Sequence, residues 1–229
     1  GQSSSYECQP SDLVSIVFTS GTTGVPKGAM QTHDSNEIPV NRFQESFATP
    51  PRGRYFSYLP LAHIAERQIV EYASLINGGV VYFNENMMTL LRDLPACRPH
   101  IMFGPPRVWE QLQQVIIGHF GSQQAVTDAL ERDPEGSGKH IRDMLGLDDA
   151  LYLLTAAAPT PPALIEWYGQ FGLDLMEGFG QTEAMGLSAN THEHRKIGSI
   201  GQVVGNVEVR ISEEGELLAR ASGLATGYY

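Results

Sequence analysis

The sequence predicts an α/β fold in which a mainly parallel sheet is covered by helices and followed, at the C-terminal end, by a small antiparallel β hairpin. Three observations predict it. Short β-rich apolar runs alternate with longer runs of helical spacing, the rhythm of βαβ units whose parallel strands are covered on both faces. A loop rich in glycine and hydroxyl residues follows directly on the first apolar run, residues 13–18. From Val203 onward the apolar pattern changes to period two, with Val207, Val209 and Ile211 on one face, a Glu213-Glu214-Gly215 turn and a partner strand over 216–221.

The loop reads Thr19-Ser20-Gly21-Thr22-Thr23-Gly24-Val25-Pro26-Lys27-Gly28. Glycines let backbone N–H groups close on an anion, Ser20, Thr22 and Thr23 add hydroxyls, and Lys27 adds a point charge, a composition suited to phosphate. It is not the commoner Gly-x-x-x-x-Gly-Lys-Ser/Thr cradle, because Val25 and Pro26 separate Gly24 from Lys27 and Gly28 stands where a magnesium-binding hydroxyl belongs. Taken alone, a flexible surface turn is the competing reading.

Beyond the loop, β-rich runs at 55–59, 80–83, 100–103 and 151–154 are the expected parallel strands. A helix is expected over 64–76, where Ile64, Ile69, Tyr72, Ala73 and Ile76 share a stripe that Asn77-Gly78-Gly79 stops. A second begins at Pro106 and presents Val108, Leu112, Val115 and Ile116, and a third runs from Pro161 to about Phe171, with Gly172 as its stop. Residues 121–149 are polar and punctuated by Asp133-Pro134-Glu135-Gly136-Ser137-Gly138, which predicts a surface excursion with a helix at each end, the second over 139–145.

Composition narrows the partners. Against 15 Lys+Arg stand 26 Asp+Glu, a formal net charge of -11, which disfavours nonspecific attraction to nucleic acid or anionic membranes and favours a small-molecule partner. Cys8 and Cys97 stand alone, so neither a disulfide framework nor a zinc site is implied, and a reducing, cytoplasmic setting fits. No apolar run approaches the roughly 20 residues of a membrane span, which leaves only peripheral membrane association open. A chain that begins without methionine and stops at Gly227-Tyr228-Tyr229 is expected to be a piece of a longer protein.

Three further clusters carry chemistry. Glu177-Gly178-Phe179-Gly180-Gln181-Thr182-Glu183 is expected just beyond an apolar strand over 173–176, where parallel sheets bind ligands. Phe179 between glycines can lie against a base, Thr182 offers a hydroxyl to phosphate, and Glu183 offers a hard carboxylate to magnesium; a glycine turn around a buried phenylalanine is the competing reading. In Leu59-Pro60-Leu61-Ala62-His63-Ile64 the histidine sits at a strand-to-helix junction amid apolar residues, where a lone histidine is more often a cap or core residue than a functional one. The small residues of Thr155-Ala156-Ala157-Ala158-Pro159 admit a planar base or close strand-to-helix packing.

In this order, with Gly198-Ser199-Ile200-Gly201 behind them, these segments resemble the adenylate-forming superfamily of acyl-CoA synthetases and luciferases. Residues 58–66 and Gly104-Pro105-Pro106-Arg107-Val108-Trp109-Glu110 are most similar to its long-chain fatty acyl-CoA synthetases. The resemblance implies that Thr19, Ser20, Gly21, Thr22, Thr23, Gly24 and Lys27 hold the β- and γ-phosphates of ATP. By the same matching, Ala157, Ala158, Glu177, Gly178 and Phe179 line the adenine site, Thr182 meets the α-phosphate, Glu183 binds Mg2+, and His63 stands between the acyl carboxylate and the fatty-acid tunnel. It further implies ATP and Mg2+, coenzyme A as co-substrate, and a fatty acid activated through an acyl-adenylate. Residues 1–202 would be the central part of the adenylation domain and 203–229 the start of a β subdomain, with the mobile C-terminal domain lying beyond the chain, so that residues 1–229 alone should not complete the reaction. Alternatives of the same chemistry are the adenylation domain of a carboxylic acid reductase or a carrier-loading enzyme; the alternative of another class is a non-catalytic nucleotide-binding module. Departures from the family pattern are the alanines at 156–158, where relatives often carry paired glycines, and an excursion at 121–138 shorter than the helical insert of long-chain enzymes.

Overall fold

A computed structural model of the chain describes residues 7–19 and 25–229. Ser20, Gly21, Thr22, Thr23 and Gly24 of the phosphate-type loop lie outside the described residues. On either side of them, β1 (Leu13–Thr19) and β2 (Lys27–Thr32) pair antiparallel with Thr19 opposite Lys27.

The main sheet has seven strands. Its order is β4 (Val80–Phe83), β3 (Arg54–Ser57), β5 (Ile101–Phe103), β6 (Tyr152–Thr155), β7 (Leu175–Gln181), β8 (Ala184–Ala189), β9 (Gln202–Val203). The first five run parallel and the last two pairings are antiparallel, so the sheet is mixed and flanked by helices, the α/β class that the alternating pattern predicts. A separate two-stranded sheet, β10 (Glu208–Ile211) with β11 (Leu217–Arg220), forms the hairpin read from period two.

Register decides which side chains reach which layer. Met102, Leu153 and Leu175 stand on one face and pack with Leu94 of α3 (Leu90–Cys97), with Trp109, Leu112 and Ile116 of α4 (Pro106–Phe120), with Ile141 and Leu145 of α6 (Pro134–Leu145), and with Tyr168 of α7 (Pro162–Gly169). Their neighbours Ile101, Phe103, Leu154 and Met176 point the other way, toward Val40 and Phe47 and toward Ile69 and Ala73. The two-residue period of the strands thus divides a nearly continuous apolar run between two cores. On the second face, a π-helical stretch (Glu66–Tyr72) runs directly into α2 (Ala73–Asn77), where the predicted stop holds: Gly78 takes φ +59 at the C-cap.

Three segments differ from the sequence-based expectation. The tract at 133–138 does not break the chain; the Asp133 carboxylate accepts the Gly136 N–H at 3.0 Å and Pro134 takes the first turn, so α6 starts there, close behind α5 (Gln123–Arg132). β7 does not stop near Met176 but continues to Gln181 through two glycines. Between β2 and β3 stands a helix without an apolar stripe, α1 (His33–Gln44), started by a reciprocal cap: Ser35 N donates to Thr32 Oγ1 at 3.1 Å and Thr32 N donates to Ser35 Oγ at 2.7 Å.

Trp109 anchors the first core. It is fully buried, its Nε1 donates to the Gly104 carbonyl at 2.8 Å, and its own carbonyl accepts the Tyr168 hydroxyl at 2.6 Å. Trp109→Ala removes that volume and takes the indole donor from the Gly104 carbonyl; we expect a loss of about 3–5 kcal/mol in urea unfolding, and a loss below about 1 kcal/mol would contradict this role.

Candidate active site

The site forms where β7 changes partners. It pairs parallel with β6 up to Thr155 opposite Glu177, and beyond that point pairs antiparallel with β8, Gly178 opposite Ala189 and Phe179 opposite Ser188. The hairpin is pinched at Gly180, where a Cβ would lie 2.7 Å from the Gly186 nitrogen. The split between the parallel strands and this hairpin leaves a cavity of about 210 Å³. Its lining brings together five residues singled out from sequence: His63, Ala157, Gly178, Phe179 and Thr182. Ala157 has φ +72, a conformation that costs a non-glycine residue strain and turns the chain sharply after β6.

Glu177 and Ala158 fall outside that lining. The Glu177 side chain accepts the Gly198 N–H at 3.0 Å, and its carbonyl accepts from Asn190 N at 2.8 Å. Asn190 Nδ2 in turn donates to the Ser199 carbonyl at 2.6 Å. The Gly-Ser-Ile-Gly segment is thereby clamped onto β8, and Gly201, at φ +80, has no room for a side chain because a Cβ would lie 1.9 Å from the Ala189 carbonyl carbon. Burial raises the Glu177 pKa.

Lys27 and Glu183 meet across Tyr228, which no local pattern in the sequence marks because it lies 45 residues from Glu183. The Tyr228 hydroxyl donates to Glu183 Oε1 at 2.5 Å, and Lys27 Nζ sits 5.3 Å from the centre of the Tyr228 ring. Residues 226–229 are held along β2 by Met30 N to Gly227 O at 2.9 Å and Tyr229 N to Gly28 O at 2.8 Å. Among the described residues no three His, Cys, Asp or Glu side chains converge as a metal cage, so Glu183 belongs to no three-ligand set here. That arrangement suits Mg2+, which takes one or two carboxylates and fills its shell with phosphate oxygens and water, and does not suit zinc.

His63 is half-buried. Its Nδ1 accepts the Ala65 N–H at 3.2 Å, which in the neutral ring leaves the proton on Nε2, and burial lowers its pKa and so favours that neutral form. Glu66, the last residue of the 58–66 segment but not singled out within it, is 1% exposed and holds the turn before His63 by accepting Leu59 N–H at 3.3 Å with Oε2.

A sequence profile described as AMP-binding enzyme matches residues 2–229. The chain belongs to the AMP-binding enzyme family. Among curated relatives of this AMP-binding chain, a putative fatty-acid–CoA ligase, fadD11, of Mycobacterium tuberculosis is 27% identical over 96% of the chain and 44% of its own length. A long-chain-fatty-acid–CoA ligase of Drosophila melanogaster, heimdall, is 27% identical over 93% of the chain and 37% of its own length. The chain therefore spans less than half of either relative. The fold is that of the N-terminal domain of Mycobacterium tuberculosis FACL13, solved with an inhibitor, at TM-score 0.73 and 22% identity, covering 98% of this chain and 54% of that one. It is also that of the o-succinylbenzoate coenzyme A synthetase of Bacillus subtilis solved with ATP and magnesium, at TM-score 0.72 and 19% identity, covering 96% and 44%. No helix among the described residues of the AMP-binding chain is long and apolar enough to cross a membrane.

Burial raises the Glu66 pKa above its ordinary 4.5. A folded-state pKa above the unfolded one means that the protonated carboxyl favours the fold, and that this contribution is full below about pH 4.5 and lost as pH rises through the raised value. Glu66→Gln should therefore melt above the parent near pH 7, with the gap closing as pH falls toward 4.5. Melting curves across that range check it, and a gap that widens on acidification would contradict it.

Proposed function

We propose that this chain carries the nucleotide- and acyl-binding part of a ligase that activates a fatty acid with ATP and passes it to coenzyme A. The observation that carries the reading is the single cavity shared by His63, Ala157, Phe179 and Thr182 at the ends of parallel strands, with Lys27 and Glu183 paired through Tyr228 on the adjoining strand and turn. A small apolar cleft of about 40 Å³, lined by residues that include Phe47, Tyr55 and Ala73, shares Phe43, Ile69, Met185 and Gly186 with that cavity, which supports an alkyl chain running from the reacting carboxylate into the second core. The curated relatives named as fatty-acid ligases favour the same substrate class.

In this reading Phe179 and Ala157, with Gly178, flank the adenine. Thr19, Lys27 and the loop between them, with Ser20, Gly21, Thr22, Thr23 and Gly24, hold the β- and γ-phosphates, and Thr182 donates to the α-phosphate. Ala158 and Glu177 support the adenine side from outside the cavity, through the turn after β6 and the clamped 198–201 segment. A carboxylate oxygen attacks the α-phosphorus, the bond to the bridging oxygen breaks, and pyrophosphate leaves with its charge; the attacking oxygen is already ionised, so no general base is needed. The coenzyme A thiol then displaces AMP from the acyl carbon. Mg2+ held by Glu183 would supply charge neutralisation at the phosphates. Neutral His63 adds no competing positive charge and leaves its Nε2–H free to donate to the acyl carboxylate.

Carboxylate-dependent ATP–pyrophosphate exchange on the full-length protein tests the reading across fatty, aryl and amino acids. We expect exchange with fatty acids; exchange only with aryl or amino acids would remove the fatty-acid assignment. Glu183→Ala should lower the exchange rate by about 100-fold or more, and near-normal exchange would remove Glu183 from the chemistry.

A further inference from the structure

Within the proposed adenylation reaction, on which this step rests, we infer that Gln31 is a positioning residue that fixes the Thr182–Glu183 turn against the strand carrying Lys27. Gln31 Nε2 donates to the Thr182 carbonyl at 2.9 Å, a bond that spans 151 residues of sequence. Gln31 and Lys27 are four residues apart in β2 and so share a face of the strand. One side-chain bond thus joins the face that presents the lysine to the turn that presents the carboxylate.

The other end of the amide is equally committed. Gln31 Oε1 accepts the Ser35 hydroxyl at 3.0 Å, and the Ser35 carbonyl accepts Gln68 Nε2 at 3.0 Å. Gln68 lies in the π-helical stretch that follows His63, five residues on. The chain Gln68, Ser35, Gln31, Thr182 therefore links the helical stretch that follows His63 to the strand that carries Lys27 and the turn that carries Glu183.

Gln31, Ser35 and Gln68 are 1%, 1% and 3% exposed, so water cannot replace a lost partner. A buried amide with both ends bonded holds one geometry, because any other leaves a donor or acceptor unpaired. A glutamine that served packing alone could be exchanged for an isosteric apolar residue at no cost to chemistry. One that sets the distance between Lys27 and Glu183 cannot, since misplacing charge-neutralising groups by about 1 Å costs rate rather than binding.

The test is fatty-acid-dependent ATP–pyrophosphate exchange with the full-length protein as Gln31→Met, Glu183→Ala and the double variant. We expect Gln31→Met to lower kcat about 10- to 100-fold while KM for ATP and for the acid each move less than about threefold. Because Gln31 acts through the turn, the double variant should be no more than about threefold slower than Glu183→Ala alone. Losses that multiply, or an unchanged kcat in folded Gln31→Met, overturn the inference. Should Gln31→Met not fold, Gln68→Met cuts the same chain from its far end, with the same kcat-only loss expected and an unchanged kcat again overturning it. Absence of exchange by the unaltered protein with every acid overturns the adenylation reading and this inference with it; exchange that Gln31→Met leaves intact overturns the inference alone.

Discussion

The change of partner along β7 is the constraint on which the rest of the structure depends. Up to Glu177 the strand is one more parallel member of the sheet, held by the register of Leu153 with Leu175 and Leu154 with Met176. Beyond it the same strand turns to β8, so the sheet opens at that point. Gly178 and Gly180 permit the turn-over by bringing two backbones together where a side chain would intrude. The cavity, the Thr182–Glu183 turn and the clamped 198–201 segment all follow from that departure.

Buried polar bonding holds this region in place. Deleting one partner of a buried hydrogen bond costs about 1–3 kcal/mol, whereas an exposed ion pair contributes about 0.2–1 kcal/mol. The pairs that Arg54 and Arg98 make with Asp149, at 2.7 and 3.2 Å, sit at the opposite, amino-terminal ends of the strands and are partly exposed, so they add little. Glu177 with Asn190, and Gln31 with Ser35 and Gln68, are buried and hydrogen-bonded, and they surround the site. Specific geometry is concentrated where the proposed chemistry needs it, while the two apolar cores supply bulk stability on either face of the sheet.

Most of the architecture was legible because strands and helices with an apolar face advertise their period. The run at 100–103 and the stripe from Pro106 become β5 and α4 with small shifts of boundary. Legibility failed where polar contacts carry the element. α1 has no apolar stripe and is started by the Thr32–Ser35 cap, and α6 begins inside a tract of Pro, Gly and Ser because Asp133 caps it. At the site, glycine and hydroxyl residues in sequence clusters were visible, and the cavity gathers His63, Ala157, Gly178, Phe179 and Thr182. Gln31, Glu66 and Tyr228 were not singled out, since each acts through a bond to a residue or element that the local pattern does not name.

By itself the sequence determined the α/β class, because that depends on periods of two and 3.6 residues, and the order of its glycine- and hydroxyl-rich motifs carried the resemblance to the family. Only the tertiary structure decided which of those residues share a cavity. It turned Glu177 away to hold Gly198, set Glu183 and Lys27 on either side of Tyr228, and tied the turn at Thr182 to Gln31. The physical reason is distance along the chain: a hydrogen bond across 151 residues leaves no mark on the spacing of its neighbours.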